Sequence, residues 1–148
     1  RPMSGYGGRK GLEDYRWTDL PSLVDGKDPH QLVQLMLDGA VARVVQAQGA
    51  LEAGEVALKC ELIGKGINLV EGLRVSLDEE QGGEIAANLS ALYEYMARRL
   101  VAANTFNDAD ILREVASLLR ELQTGWRELG DQLAASLQTP APQVQAAR

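Results

Sequence analysis

Between Asp28 and Leu137 apolar residues recur at helical spacing, and nowhere in that stretch do apolar and polar residues alternate over five or more positions. A period near 3.6 sustained this long leaves no room for a sheet. The pattern breaks three times, so it predicts four helices, near residues 29–53, 55–77, 84–103 and 108–137. Asp28-Pro29-His30-Gln31 is a strong start signal, with Asp28 as N-cap, Pro29 at the first helical position and Gln31 able to reach back in a capping box. Asp78 to Gly83 reads as a turn, and Asn104 to Asn107 as a break before a cap at Asn107 or Asp108. Long amphipathic helices joined by short connections predict an all-α fold, an antiparallel four-helix bundle.

The two ends of the chain do not share this pattern. Residues 1–27 are rich in glycine and carry Tyr15, Trp17, Leu20 and Leu23, apolar side chains that need a surface to dock on. Leu12 to Leu20 could form a short extra helix, which Pro21 limits. This segment is read as a flexible N-terminal arm, residues 28–138 as the bundle domain and 139–148 as a disordered tail. The net charge is −6, and the acidity lies in the bundle rather than in the arm. That excludes a general nucleic-acid binder, which needs a basic face. No apolar run approaches the ~20 residues that cross a bilayer and no signal-peptide pattern opens the chain, so a cytoplasmic protein without membrane insertion is expected.

The second helix carries too much apolar surface. In the third and fourth helices the large apolar side chains fill an arc of roughly 100–120°, one core-facing stripe. In the second, Leu58, Leu62, Leu69 and Leu73 lie on one flank and Ile63, Ile67 and Val70 on the other, with Leu77 between. With Val56 and Cys60 they span roughly 200°. Either this helix is central in the bundle, or part of the face is an exposed groove suited to an amphipathic partner helix. The expectation is that Leu58, Leu62, Leu69 and Leu73 face the core, while Ile63, Ile67, Val70, Cys60 and Leu77 line the groove. Gly64, Gly66 and Gly72 weaken this helix by about 1 kcal/mol each relative to alanine, which fits the close approach of another backbone.

Catalytic chemistry has little to stand on. The single cysteine, Cys60, rules out an internal disulfide, and the single histidine, His30, rules out zinc sites built on histidine pairs. The glycines at 5, 7 and 8 lack the lysine–hydroxyl ending of a phosphate loop. Cys60 falls on an apolar flank and reads as inert packing. The carboxylates Glu79, Glu80 and Glu84 suit a helix start. A four-helix histidine phosphotransfer module using His30 is the alternative reading. His30 stands in the first turn, directly after a proline, where a capping role fits better than phosphoryl transfer. No enzyme, no metal and no cofactor are expected.

The motifs then meet a known family. Asp28-Pro29-His30-Gln31-Leu32-Val33-Gln34-Leu35-Met36-Leu37-Asp38-Gly39-Ala40 resembles the opening helix of the FliS family of flagellin export chaperones, Ser-Pro-x-x-Leu-Ile-x-Met-Leu-Tyr-Asp-Gly-Ala. Leu77-Asp78, Gly82-Gly83-Glu84-Ile85-Ala86, Asn88-Leu89, Leu92-Tyr93 and Tyr95-Met96 are similar to its most recognisable stretch. Ala103-Asn104, Asp108, Leu112 to Val115, Leu118-Leu119 and Trp126 continue the likeness to about residue 130. Leu37 stands where the family commonly has tyrosine, and Arg16 to Pro21 matches nothing in it. The resemblance implies a chaperone of the bacterial cytosol that binds the disordered C-terminal segment of flagellin, prevents its premature polymerisation and delivers it to the cytoplasmic domain of the flagellar export gate. The free protein is expected to be a monomer or weak homodimer, with the arm residues Tyr15, Trp17, Leu20 and Leu23 lying over part of the cargo site.

Overall fold

The computed structural model describes residues 28–138. They form four helices: α1 Pro29–Glu52, α2 Val56–Val75, α3 Glu79–Phe106 and α4 Ala109–Gln138. No strand occurs among the described residues. Each helix packs chiefly on two neighbours, in the cyclic order α1–α2–α3–α4–α1. α2 is therefore one wall of a bundle and not its centre.

The caps lie where the sequence places them. Asp28 accepts from the Gln31 N–H at 2.8 Å, and Gln31 Oε1 accepts from the Asp28 N–H at 3.3 Å, completing the capping box. Asp108 accepts from the Asp110 and Ile111 N–H groups and caps α4. The start of α3 differs from expectation. Asp78 caps it by accepting from the Gln81 N–H at 3.1 Å, so most of the expected turn is a helical turn. Gly83, at φ 56 and ψ −129, then kinks the helix. That conformation strains any residue with a Cβ.

The core runs the length of the bundle, with Leu37, Val44, Ile63, Leu73, Met96, Leu100, Leu112 and Leu119 all fully buried. Trp126 packs against the edge of this core. Its surroundings explain why it is ordered. The His30 ring stacks on the indole, with centroids 4.6 Å apart and planes inclined by 9°. His30 Nε2 donates to the Trp126 carbonyl at 2.8 Å, and Trp126 Nε1 donates to the His30 carbonyl at 2.9 Å. His30 is thus a clasp between α1 and α4, not a cap. Nearer the middle, Asp38 accepts from Gln34 and from Gln123 of α4. On the far side, Glu114 of α4 accepts from the Tyr95 hydroxyl and, at 2.9 Å, from Arg99 Nε of α3.

Two predictions follow from these contacts. A Cβ on Gly130 would lie 2.3 Å from His30 Cε1, whereas one on Gly125 would meet nothing within 4 Å. Gly125→Ala should therefore stabilise the protein by up to ~1 kcal/mol through helix propensity. Gly130→Ala should instead destabilise it by about 1–2 kcal/mol, because the lost stacking and hydrogen bonds outweigh that gain. Urea denaturation of both variants tests the opposite signs. The second prediction concerns acid. The Tyr95 hydroxyl, then Arg99, hold the Glu114 carboxyl below its ordinary range. A depressed carboxylate stabilises the fold above the unfolded-state pKa, and that stabilisation is lost as pH falls through the depressed value. Glu114→Gln should flatten this acid limb of the stability curve and leave its shape near neutrality unchanged.

Candidate partner-binding site

The wide face of α2 divides differently from the expected flanks. Ile63, Val70 and Leu73 are fully buried and Leu62 nearly so, so both flanks feed one core. This corrects the assignment of Ile63 and Val70 to a groove. A helix held between two neighbours buries an arc centred between its flanks, and that centre runs through Leu62, Ile63, Gly66, Val70 and Leu73. Leu58, expected in the core, is 43% exposed. Leu69 is half-buried, and a Cβ on Gly39 of α1 would lie 3.2 Å from its Cδ1. Leu77 is half-buried against the core at the α2–α3 connection.

Besides Leu58 on the opposite flank, what remains at the surface is the edge of α2 towards α3. Cys60, Ile67 and Arg74 are seven residues apart and form one line along the helix. Arg74 reaches Glu94 of α3 at 3.8 Å, which fixes the side that this line faces. On α3, Val101 is seven residues beyond Glu94 and so lies on the facing line. Cys60 is exposed, Ile67 half-buried and Val101 53% exposed. Gly64 sits between Cys60 and Ile67, and a Cβ there would meet nothing within 4 Å. The result is an apolar seam, open above Gly64 and ended by the Arg74–Glu94 ion pair.

Lys59 ties this seam together from beneath. Its side chain is 1% exposed, the one buried charged residue among those described. Nζ donates to the Asn104 carbonyl at 2.9 Å and to Asn104 Oδ1 at 2.8 Å. Asn104 lies in the last turn of α3, where carbonyls lack helical partners and the dipole is negative. The ammonium serves as a cap from the neighbouring helix, which offsets its desolvation.

No cluster of three or more His, Cys, Asp or Glu side chains that could hold a metal occurs among the described residues. Cys60 is exposed rather than packed inside, and His30 spends Nε2 and one ring face on Trp126. A shallow trough on the outer face of α4, about 870 Å³, is lined by Arg113, Ser117, Arg120, Thr124 and Glu128. Its charged walls do not suit an apolar helix. Of the residues expected in the groove, Cys60 and Ile67 share the seam, and Gly64, which by sequence fits the close approach of another backbone, lies open between them. Val101 and Lys59 went unnoticed, although Val101 is an apolar residue outside its helix's core arc, which is a readable signal. Tyr15, Trp17, Leu20 and Leu23 lie outside the described residues.

Fold and site together define an antiparallel four-helix bundle with an exposed apolar seam along one edge. No helix of the described residues is long and apolar enough to cross a membrane. The family model described as "Flagellar protein FliS" matches residues 13–133. The flagellar secretion chaperone FliSB of Pseudomonas aeruginosa is 46% identical over 117 residues, covering 79% of this chain and 93% of that protein. The flagellar secretion chaperone FliS of Salmonella typhimurium is 43% identical over 120 residues, 80% of this chain and 89% of that one. Its counterpart in Bacillus subtilis is 30% identical over 105 residues, 71% and 77% of the two chains. The chain belongs to the FliS family of flagellar secretion chaperones, which are cytoplasmic and are not enzymes.

The contact beneath the seam gives its own prediction. Lys59→Met keeps the length of the side chain but leaves the Asn104 carbonyl and amide oxygen without their donor. Stability in urea should fall by about 1–3 kcal/mol. An unchanged value would mean that water replaces the ammonium without cost.

Proposed function

We propose that the α2–α3 seam receives the C-terminal segment of flagellin as an amphipathic helix. Cys60, Gly64, Ile67 and Val101 would form its floor, and Leu77 would lie near one end. Flagellin held this way cannot bury the same apolar stripe against another flagellin, which prevents premature polymerisation. The loaded chaperone then delivers its cargo to the cytoplasmic domain of the flagellar export gate. The free protein is a monomer or weak homodimer in this reading. The observation that supports it is an apolar line with a glycine at its middle, exposed on the bundle.

The energetics are those of coupled folding and binding. Apolar burial supplies the attraction and gives a negative heat-capacity change, while ordering the segment opposes it entropically. Salt should matter little, because few charges take part.

Gly64 and Val101 test the site. A Cβ at position 64 meets nothing within 4 Å, so Gly64→Leu should preserve or raise stability, with up to ~1 kcal/mol from helix propensity. The same side chain would fill the space a cargo backbone needs, and binding of a flagellin C-terminal peptide should fall at least about tenfold. Val101→Asp should also weaken binding, by desolvating a carboxylate under the cargo. Calorimetric titration of both stable variants checks this. Wild-type affinity in both would remove the seam as the cargo site.

A further inference from the structure

The outward face of α4 separates its charges by sign. Arg113 and Arg120 stand seven residues apart on one line along the helix, and Glu121 and Glu128 on a second line about 100° around it. Ser117 and Thr124 lie between the two lines. All six residues are exposed and line the trough, with arginine on one wall, glutamate on the other and hydroxyls on the floor. A solvated helix ordinarily settles such charges within itself, by opposite signs three or four positions apart. Arg113 does so with Asp110. Arg120, Glu121 and Glu128 have no opposite charge at those spacings, and none of them makes an ion pair or hydrogen bond among the described residues.

Two flanks of opposite sign are complementary to themselves. When two such helices meet about a two-fold axis parallel to them, the arginine flank of each faces the glutamate flank of the other, and every contact is made twice. An antiparallel pair would instead set arginine against arginine and glutamate against glutamate. We propose that this face of α4 is an interface between two copies of the chain, with the two α4 helices parallel and Arg120 of each copy against Glu121 of the partner subunit. Ser117 and Thr124 are small enough to let the helix axes approach. From Arg113 to Glu128 the face spans about 22 Å and is polar throughout, so the dimer is weak. The seam lies on α2 and α3, and the inference does not depend on what the seam binds.

Sedimentation of the full-length chain over a concentration series tests it. Arg120→Glu and Glu121→Arg each remove the opposition between the flanks, at exposed positions, so both variants should keep the wild-type urea midpoint. Each should self-associate at least about tenfold more weakly than the wild type. Mixed in equal amounts, the two should recover the wild-type affinity, because their flanks are again opposite. Glu121→Arg also separates a specific contact from bulk repulsion. It makes the chain less negative, which by itself favours association, whereas the proposed contact predicts a loss. A wild-type chain that stays monomeric up to about 1 mM would overturn the proposal, as would an equal mixture no more associated than its components. A dimer that both variants leave intact would overturn it too, and would move the interface to an apolar surface such as the exposed Leu129 and Leu133.

Discussion

The ring of helices is closed by side-chain chemistry between its first and last members. α1–α2, α2–α3 and α3–α4 are joined by short connections, which make each pair neighbours at little entropic cost. α1 and α4 have no such link, and their contacts span 96 positions at the His30–Trp126 clasp. The clasp combines a stacked pair with two reciprocal hydrogen bonds to backbone carbonyls, so it fixes both the depth and the register of α4 against α1. Gly130 follows from it, because the imidazole occupies the space of a Cβ. Asp38 and Gln123 repeat the closure further along. Without this closure α4 would have only α3 to lean on, and the core between the four helices would open.

Once the ring is closed, the burial of α2 is decided geometrically. A wall helix can bury the arc between its two neighbours and no more. The sequence of α2 exceeds that arc, and the excess appears at Leu58 on one flank and along the edge with α3 on the other. Lys59 and the Arg74–Glu94 pair hold α2 and α3 together at two levels, so the seam is a fixed feature and not a gap. A chaperone for an aggregation-prone helix needs this combination. The surface must be apolar enough to compete with self-assembly, and rigid enough not to collapse on itself in the free state.

The four helices were legible in the sequence from their period, and the starts of α1 and α4 from capping chemistry as well. Asp28-Pro29-His30-Gln31 is the clearest case. The excess apolar surface on α2 was legible too. Its division into core and seam was not, since Ile63 and Ile67 are four residues apart on one flank and only their neighbours bury one fully and the other partly. His30 and Lys59 show the same limit. A histidine after a proline reads as part of a cap, and a lysine in an amphipathic helix reads as solvated. Each acquires its role from a residue on another helix, Trp126 and Asn104. The turn expected at 78–83 failed for a local reason, because Asp78 starts a helical turn before Gly83 bends the chain.

The central claim is that cargo covers the α2–α3 seam, and the protein carries its own probe for this. Cys60 is the sole cysteine of the chain, and it lies exposed on the seam. The rate at which its thiol is alkylated can be followed without any substitution, in the free chaperone and with saturating flagellin C-terminal peptide. If the segment docks over Cys60, Gly64 and Ile67, alkylation should slow by at least about tenfold in the complex, in proportion to the fraction bound. An unchanged rate with demonstrably bound peptide would contradict the account and move the cargo site off this seam.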